Sequence, residues 1–253
     1  MSKVTVFGAG AWGSTMAQVL SDAGNDVLLW GRSADVIAEI NGTHTNTKYL
    51  SSHTLPKNIK ATTDLKEAFD FSDTYVLAIP AQQLRTTLQE WKPYFSAESI
   101  IISTLKGIEI SSQMRMTEVI EDVLGPHKIA IITGPNLADE LVLRQPAGAV
   151  AAAASIELAD SIRNLFRTPY YRVYTSIDVM GCELSGAIKS VIALAVGISI
   201  GMGFGENTQA MIITRGLSEV ARFGNGYGAN PLTNLGLAGM GDLVASCGSG
   251  LSR

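Results

Sequence analysis

The chain begins with a β-branched run that ends in three closely spaced glycines: Val4-Thr-Val-Phe-Gly8-Ala-Gly10-Ala11-Trp12-Gly13. Residues of helical character follow. This order leaves few folds open. Gly8 permits a tight turn out of a strand, and Gly10 lets the backbone come close to a bulky anion. Gly13 lets the next helix lie against the strand it came from. The first N–H groups of that helix have no partner within it and face the same point. In this context the G-x-G-x-x-G spacing implies a bound dinucleotide, its pyrophosphate resting on the helix N-terminus.

The rest of the chain agrees with that start as far as residue 175. Strand candidates are Lys3–Phe7, Asp26–Trp30, Thr74–Ile79, Ser99–Ser103, Lys128–Thr133, Ala147–Ala153 and Tyr170–Tyr174. Helix candidates start near Trp12, Ser33, Asp64, Ala81, Ser111, Asn136 and Ser155. The alternation predicts an α/β fold, with an N-terminal Rossmann-type doubly wound sheet. Beyond residue 178 the pattern changes to long helical segments, Val179–Ser199 and Asn207–Phe223. The expected organisation is an NAD(P)-binding domain over 1–178, then an all-α substrate domain over 179–253. The apolar stretch from Val191 to Phe204 falls short of the ~20 residues that span a bilayer and reads as a buried helix. Gly236 to Gly250 reads as a glycine- and serine-rich loop. A chain that stops at Arg253, just past such a loop, reads as a truncated second domain.

Composition excludes several classes of function. The net charge is −4, and Lys and Arg are scattered, so no basic face for nucleic acid or anionic lipid is expected. Cys182 and Cys247 form no CxxC pair, which argues against a zinc site or disulfide framework and for a reduced, cytoplasmic setting. His44, His53 and His127 lack ligand spacing, and no metal is expected. Trp91 with Pro93-Tyr94-Phe95 reads as packing at a helix end.

Two cations are the sequence's best chemical clues. The second strand candidate ends in Trp30-Gly31-Arg32, where an NAD-selective site usually carries an acid for the ribose 2′-OH. Arg32 either pairs with a 2′-phosphate, so that NADP(H) is accepted, or is a solvated loop charge. Lys189 interrupts an apolar helical run, Gly186-Ala-Ile-Lys189-Ser-Val-Ile-Ala. Such a lysine either snorkels to the surface or is placed for chemistry.

Six motifs in order settle more than either residue alone. They are Gly8–Gly13, Ser103-Thr-Leu-Lys106-Gly107, Gly134-Pro-Asn136-Leu-Ala138-Asp-Glu140, Gly186-Ala-Ile-Lys189, Ile213-Thr-Arg-Gly-Leu-Ser-Glu219 and Gly239-Met-Gly-Asp242-Leu. Together they resemble the NAD(P)-dependent glycerol-3-phosphate dehydrogenases, most closely the bacterial branch that supplies glycerol 3-phosphate for phospholipid synthesis. The resemblance implies a cytoplasmic homodimer that interconverts sn-glycerol 3-phosphate and dihydroxyacetone phosphate with NAD(H) or NADP(H). It implies that Lys189 is the general acid/base, and that Lys106 lies beside substrate and nicotinamide, where it polarises the oxygen and eases proton loss from Lys189. Asp242 would contact substrate and hold the Lys189 ammonium. Gly134 and Asn136 would touch substrate, and Ser252 with Arg253 would begin the phosphate-gripping segment. Gly8, Gly10, Ala11, Trp12, Gly13, Arg32, Tyr49, Lys106, Ala138 and Arg253 would contact the cofactor. Departures from the family pattern are Asn136, where most bacterial members have Ser, Ser190 in place of Asp or Asn, and Ile200 in place of an acid. Members also continue past Arg253 with further helices. Other nicotinamide dehydrogenases for hydroxyacids or phosphogluconate share the architecture, but the Lys106 and Asp242 motifs count against them. A dinucleotide-binding module without turnover has no need of the placed Lys106, Lys189 and Asp242.

Overall fold

A computed structural model describes residues 2–51 and 53–250. Eight strands form one sheet: β1 (Lys3–Phe7), β2 (Asp26–Trp30), β3 (Lys60–Thr62), β4 (Thr74–Leu77), β5 (Ile100–Ser103), β6 (Lys128–Thr133), β7 (Ala147–Ala153) and β8 (Tyr171–Ser176). Their spatial order is β3-β2-β1-β4-β5-β6-β7-β8. Neighbours pair in parallel except β6 with β7, which run antiparallel. The chain moves outward from β1 in one direction through β2 and β3, then returns to β4 on its other side. The crevice at the carboxyl ends of β1 and β4 is therefore the topological switch point, where ligands of such sheets bind.

Both faces of the sheet are covered, and β1 displays the two-residue period that requires it. Val4 and Val6 pack with Met16, Val19 and Leu20 of the helix Ala11–Asp22. Phe7 points the other way into a second core with Tyr75, Leu77, Leu84 and Trp91. Phe7, Phe69 and Trp91 pack tilted or edge-on with ring centroids 4.7–6.0 Å apart, and Tyr94 and Phe95 extend the group. The expected packing at the end of the helix Leu84–Trp91 is thus present. Each such side chain, fully buried, contributes about 1.5–3 kcal/mol.

Local signals set several boundaries. The Asp64 carboxylate accepts from the N–H groups of Lys66 and Glu67 and starts the helix Leu65–Phe71. Ser155 caps Ile156–Phe166 in the same manner, and Asp178 caps Val179–Gly201. Four expectations need correction. β3 was not foreseen, because Lys60-Ala-Thr is too short to show a pattern. The helix expected near Ser111 starts at Met116, because residues 108–115 close into a loop with an Ile108–Arg115 bridge. The stretch from Gly236 is not a loop: Leu237–Gly241 forms a π turn and Asp242–Gly248 an α-helix. The apolar helix is not buried throughout. Residues Gly181–Gly186 of Val179–Gly201 are buried, whereas Val191, Leu194 and Ile198, which share one face, are more than half exposed.

Candidate active site

The glycine loop joins β1 to the helix Ala11–Asp22 at the switch point. Gly8 has φ 120°, open to glycine, and a side chain there would run into the carbonyl of Ala78 beyond β4. A side chain at Gly13 would overlap the Gly8 carbonyl oxygen. Gly10 differs from both: a Cβ there would meet nothing within 4 Å. Its smallness serves no contact inside the protein and leaves an open cradle above the helix start. That start has no side-chain cap and no acidic residue in its first turn, so its N–H groups and positive dipole end remain for an anion. The chain's own residues thus fit a dinucleotide pyrophosphate. Ala11 and Trp12 are partly buried beside the loop.

Two neighbouring segments complete this region. Asn46 is fully buried; its amide donates to the Ala9 carbonyl at 3.1 Å and to the Ser14 hydroxyl at 2.8 Å. It ties the segment carrying Tyr49, itself 42% exposed, to the glycine loop. Gly31 follows β2, and a Cβ there would sit 2.6 Å from the Cβ of Ala9. An acid at that position does not fit this loop, and exposed Arg32 comes next.

Lys106, Lys189 and Asp242 come from three distant parts of the chain and meet. Lys106 lies three residues past β5, Lys189 is in the helix Val179–Gly201, and Asp242 opens the helix Asp242–Gly248. Lys106 Nζ donates to one Asp242 carboxylate oxygen at 2.6 Å and to the Gly134 carbonyl at 3.1 Å. Lys189 Nζ donates to the other carboxylate oxygen at 2.6 Å and to the Ser246 hydroxyl at 2.8 Å. The Asp242 side chain is 3% exposed. Two ammonium groups on one buried carboxylate leave a net positive charge, which suits an anionic substrate and an oxygen gaining negative charge. Burial pushes Lys106 down to about 8; Asp242 pulls it up, and the Lys189 charge pushes it down again. The family resemblance implies that Lys106 acts on Lys189; the effect seen here runs the other way, from Lys189 onto Lys106.

Packing around the cluster explains its glycines. Gly134 has φ 149°, and a Cβ there would press on Gly148 and Ala149 of β7. A side chain at Gly239 would collide with the Asn234 backbone. Asn234 in turn sits 2.8 Å from the Ser185 hydroxyl, seating the segment before Asp242 on the lysine helix. Both amide atoms of Asn136 and the Thr133 hydroxyl are buried beside Gly134 without a well-formed hydrogen bond among the described residues, although the buried Tyr171 hydroxyl faces the Asn136 amide. Buried groups of this kind carry a desolvation cost unless a ligand or water meets them. Ala138 begins the short helix Ala138–Val142 just beyond. Ser252 and Arg253 lie outside the described residues. Nothing local in the sequence marks Asn46, Thr133 or Ser246: the partners of Asn46 and of Lys189-bound Ser246 are far away in the chain, and the Thr133 hydroxyl has none among the described residues.

A mostly parallel sheet with a phosphate-ready glycine loop, and a lysine pair on a buried carboxylate at the same edge, define a nicotinamide-nucleotide oxidoreductase. Comparison with known proteins narrows the class. Residues 3–159 match the family model of the NAD-dependent glycerol-3-phosphate dehydrogenase N-terminus, and residues 178–253 that of its C-terminus. The chain belongs to the NAD-dependent glycerol-3-phosphate dehydrogenase family. A glycerol-3-phosphate dehydrogenase (NAD(P)+) of Streptomyces avermitilis is 51% identical over 253 residues, covering 99% of this chain and 75% of the relative. That of Thermobifida fusca is 48% identical over 256 residues, 100% of this chain and 76% of the relative. The crystal structure of glycerol-3-phosphate dehydrogenase from Coxiella burnetii superposes with a TM-score of 0.94 at 32% identity, over 100% of this chain and 77% of that one.

Proposed function

We propose that the chain interconverts sn-glycerol 3-phosphate and dihydroxyacetone phosphate with NAD(H) or NADP(H), supplying glycerol 3-phosphate for phospholipid synthesis. The observation that carries this reading is the Lys106–Asp242–Lys189 cluster at the sheet edge that also holds the glycine loop. When bound, the nicotinamide supplies or accepts the hydride. Gly8, Gly10, Ala11, Trp12 and Gly13 hold its nucleotide, with Arg32, Tyr49, Ala138 and Arg253 around it. Lys189 gives a proton to the carbonyl oxygen during ketone reduction and takes the hydroxyl proton in reverse. Lys106, charged below about pH 8, polarises that oxygen. Asp242 holds both ammonium groups in place. Gly134 and the Asn136 amide meet the substrate, whose phosphate the excess positive charge attracts, with Ser252 and Arg253 beside it.

The same reading divides the chain into a cofactor domain over 1–178 and a substrate domain over 179–253, and takes the enzyme as a cytoplasmic homodimer without nucleic-acid or membrane partners. The helix Val179–Gly201 is long and apolar enough to cross a bilayer. Yet Glu183 and Lys189 on that helix are both spent on ion pairs within this protein, which favours a helix of the protein interior. The test is loss of nicotinamide absorbance on mixing the chain with dihydroxyacetone phosphate and NADPH or NADH. Oxidation that Lys189→Ala abolishes supports the reading. Cofactor binding without oxidation, in the unaltered chain, would sink it.

A further inference from the structure

Outside the lysine cluster, the most deeply buried ion pair among the described residues joins Arg115 to Glu183. Glu183 lies on the helix Val179–Gly201, six residues before Lys189. Its carboxylate accepts from Arg115 Nη1 at 2.6 Å, from the Thr117 N–H at 2.9 Å and from the Thr117 hydroxyl at 2.6 Å. Arg115 is itself fixed, since Nη2 donates to Glu118 at 2.7 Å and its own N–H to the same carboxylate at 2.9 Å. A buried ion pair adds little net stability over apolar residues of similar size, so geometry is the better reason to look for.

Arg115 and Thr117 stand at the far end of the loop that leaves Lys106, and that loop has no slack. Ile108 bridges to Arg115, and the Glu109 N–H donates to the Met114 carbonyl at 2.9 Å. Arg85 Nε donates to both Glu109 oxygens at 3.0 and 3.1 Å. Gln82 clasps the Ile108 carbonyl at 2.8 Å and the Ile110 N–H at 3.0 Å. On the opposing helix, Glu183, Gly186 and Lys189 recur at every third residue and step gradually round it, so Gly186 lies between the other two. Each meets the Lys106 loop or its cluster. Glu183 grips the loop's return, and a Cβ on Gly186 would touch the Lys106 stem at 3.7 Å. Lys189 shares Asp242 with Lys106.

We propose that Glu183 is a positioning residue: through Arg115 and Thr117 it fixes the Lys106 loop on the Lys189 helix, so that the two ammonium groups keep their separation across Asp242. The inference rests on the roles given above to the two lysines. Misplacement by about 1 Å in such a site costs about a hundredfold in rate.

Removing Glu183 alone leaves a buried Arg115 with only Glu118 as its charge partner and strips the Thr117 N–H and hydroxyl of their acceptor, which is destabilising. The decisive variant is therefore the double replacement Arg115→Met with Glu183→Leu, beside the milder Glu183→Gln. The double variant should keep the NADPH affinity of the unaltered chain and most of its Tm, the loss coming from the Thr117 N–H and hydroxyl that no longer have Glu183 as acceptor. Its kcat should fall about tenfold or more while KM for dihydroxyacetone phosphate changes less than about threefold. Glu183→Gln, which still accepts from Thr117, should fall between. A purely structural role predicts instead that the folded double variant recovers kcat together with Tm. A second measurement needs no turnover. Lysine Nζ NMR should follow Lys106 titrating near 8 in the unaltered chain and higher in the double variant, as its ammonium draws away from Lys189 and gains water. Asp242 and Lys189 are the charged groups that face it. A folded double variant with unchanged kcat and unchanged Lys106 titration would overturn the proposal. An unaltered chain that turns over nothing would count against the reaction instead, with the titration still deciding the clamp.

Discussion

A protonated Lys106 polarises a carbonyl oxygen and a neutral one does not. Burial brings this ammonium down to about 8, against the pull of Asp242 and with the help of the Lys189 charge. The kcat/KM for ketone reduction should therefore fall as pH rises through about 8. Lys106→Arg stays charged across this range, so it should abolish that limb. It should also lower the plateau, because a planar fork does not reproduce a point charge held between Asp242 and the Gly134 carbonyl. Rate profiles from about pH 6 to about pH 10 check this; a limb that survives in the Arg variant belongs to another group. Stability runs in the opposite direction. Folded Lys106 releases its proton near 8 and unfolded Lys106 at the ordinary 10.5. Between those values the unfolded chain binds more protons, so this residue's contribution to stability rises with pH; below 8 both states hold the proton and its penalty is constant. The Tm difference between the unaltered chain and Lys106→Met should move in favour of the unaltered chain across that window, and no movement would argue that the ammonium is not desolvated.

The turn from β1 into the helix Ala11–Asp22 separates what folding requires from what a ligand requires. Gly13→Ala puts a methyl group into the Gly8 carbonyl and should lower Tm and cofactor binding together. Gly10→Ala puts it into open space, so Tm should stay close to that of the unaltered chain, within the roughly 1 kcal/mol of an altered N-cap. Affinity for NADPH should nonetheless fall, because the methyl group occupies the pyrophosphate cradle. Calorimetry and nicotinamide fluorescence read the two effects separately; if Gly10→Ala binds NADPH as tightly as the unaltered chain, the cradle lies elsewhere. This turn was legible in the sequence because its chemistry is local, and the strands were legible because parallel strands buried on both faces are continuous apolar runs such as Ile100-Ile-Ile. Elements made by distant contacts were not. The helix Asp242–Gly248 looks like a loop in sequence because glycines precede it, of which Gly239 is there for close packing against the Asn234 backbone. Lys106, Lys189 and Asp242 were found through the ordered motifs of the family resemblance. Their shared contact, and the Arg115–Glu183 pair beside them, depend on a tertiary fold that no local pattern encodes.

Across the whole molecule the apolar core is unevenly spread. Two large clusters cover the two faces of the sheet, one around Val6 and Leu20 and the other around Phe7 and Leu77. The helical part has its own small cluster of Ile192, Val220 and Leu243. The helix Glu206–Gly226 buries only Val220 and Gly224, and it packs closely on its neighbour where Gly216 admits Ile192. Local stability follows buried apolar contact, so this helix should open well below the energy of global unfolding. Hydrogen exchange should therefore reach the amides of Glu206–Gly226 first and those of β1, β4 and β5 last. The N-terminal half of Val179–Gly201 should follow the sheet, because Glu183 ties it to the helix Met116–Leu124. If Gly134, Lys189 and Asp242 contact substrate as proposed, dihydroxyacetone phosphate with NADPH should slow exchange most around them. Exchange of Glu206–Gly226 in step with the sheet would show instead that the helices and the sheet unfold as one cooperative unit. The small cluster around Ile192 would then be coupled to the main core through the lysine–carboxylate contacts themselves.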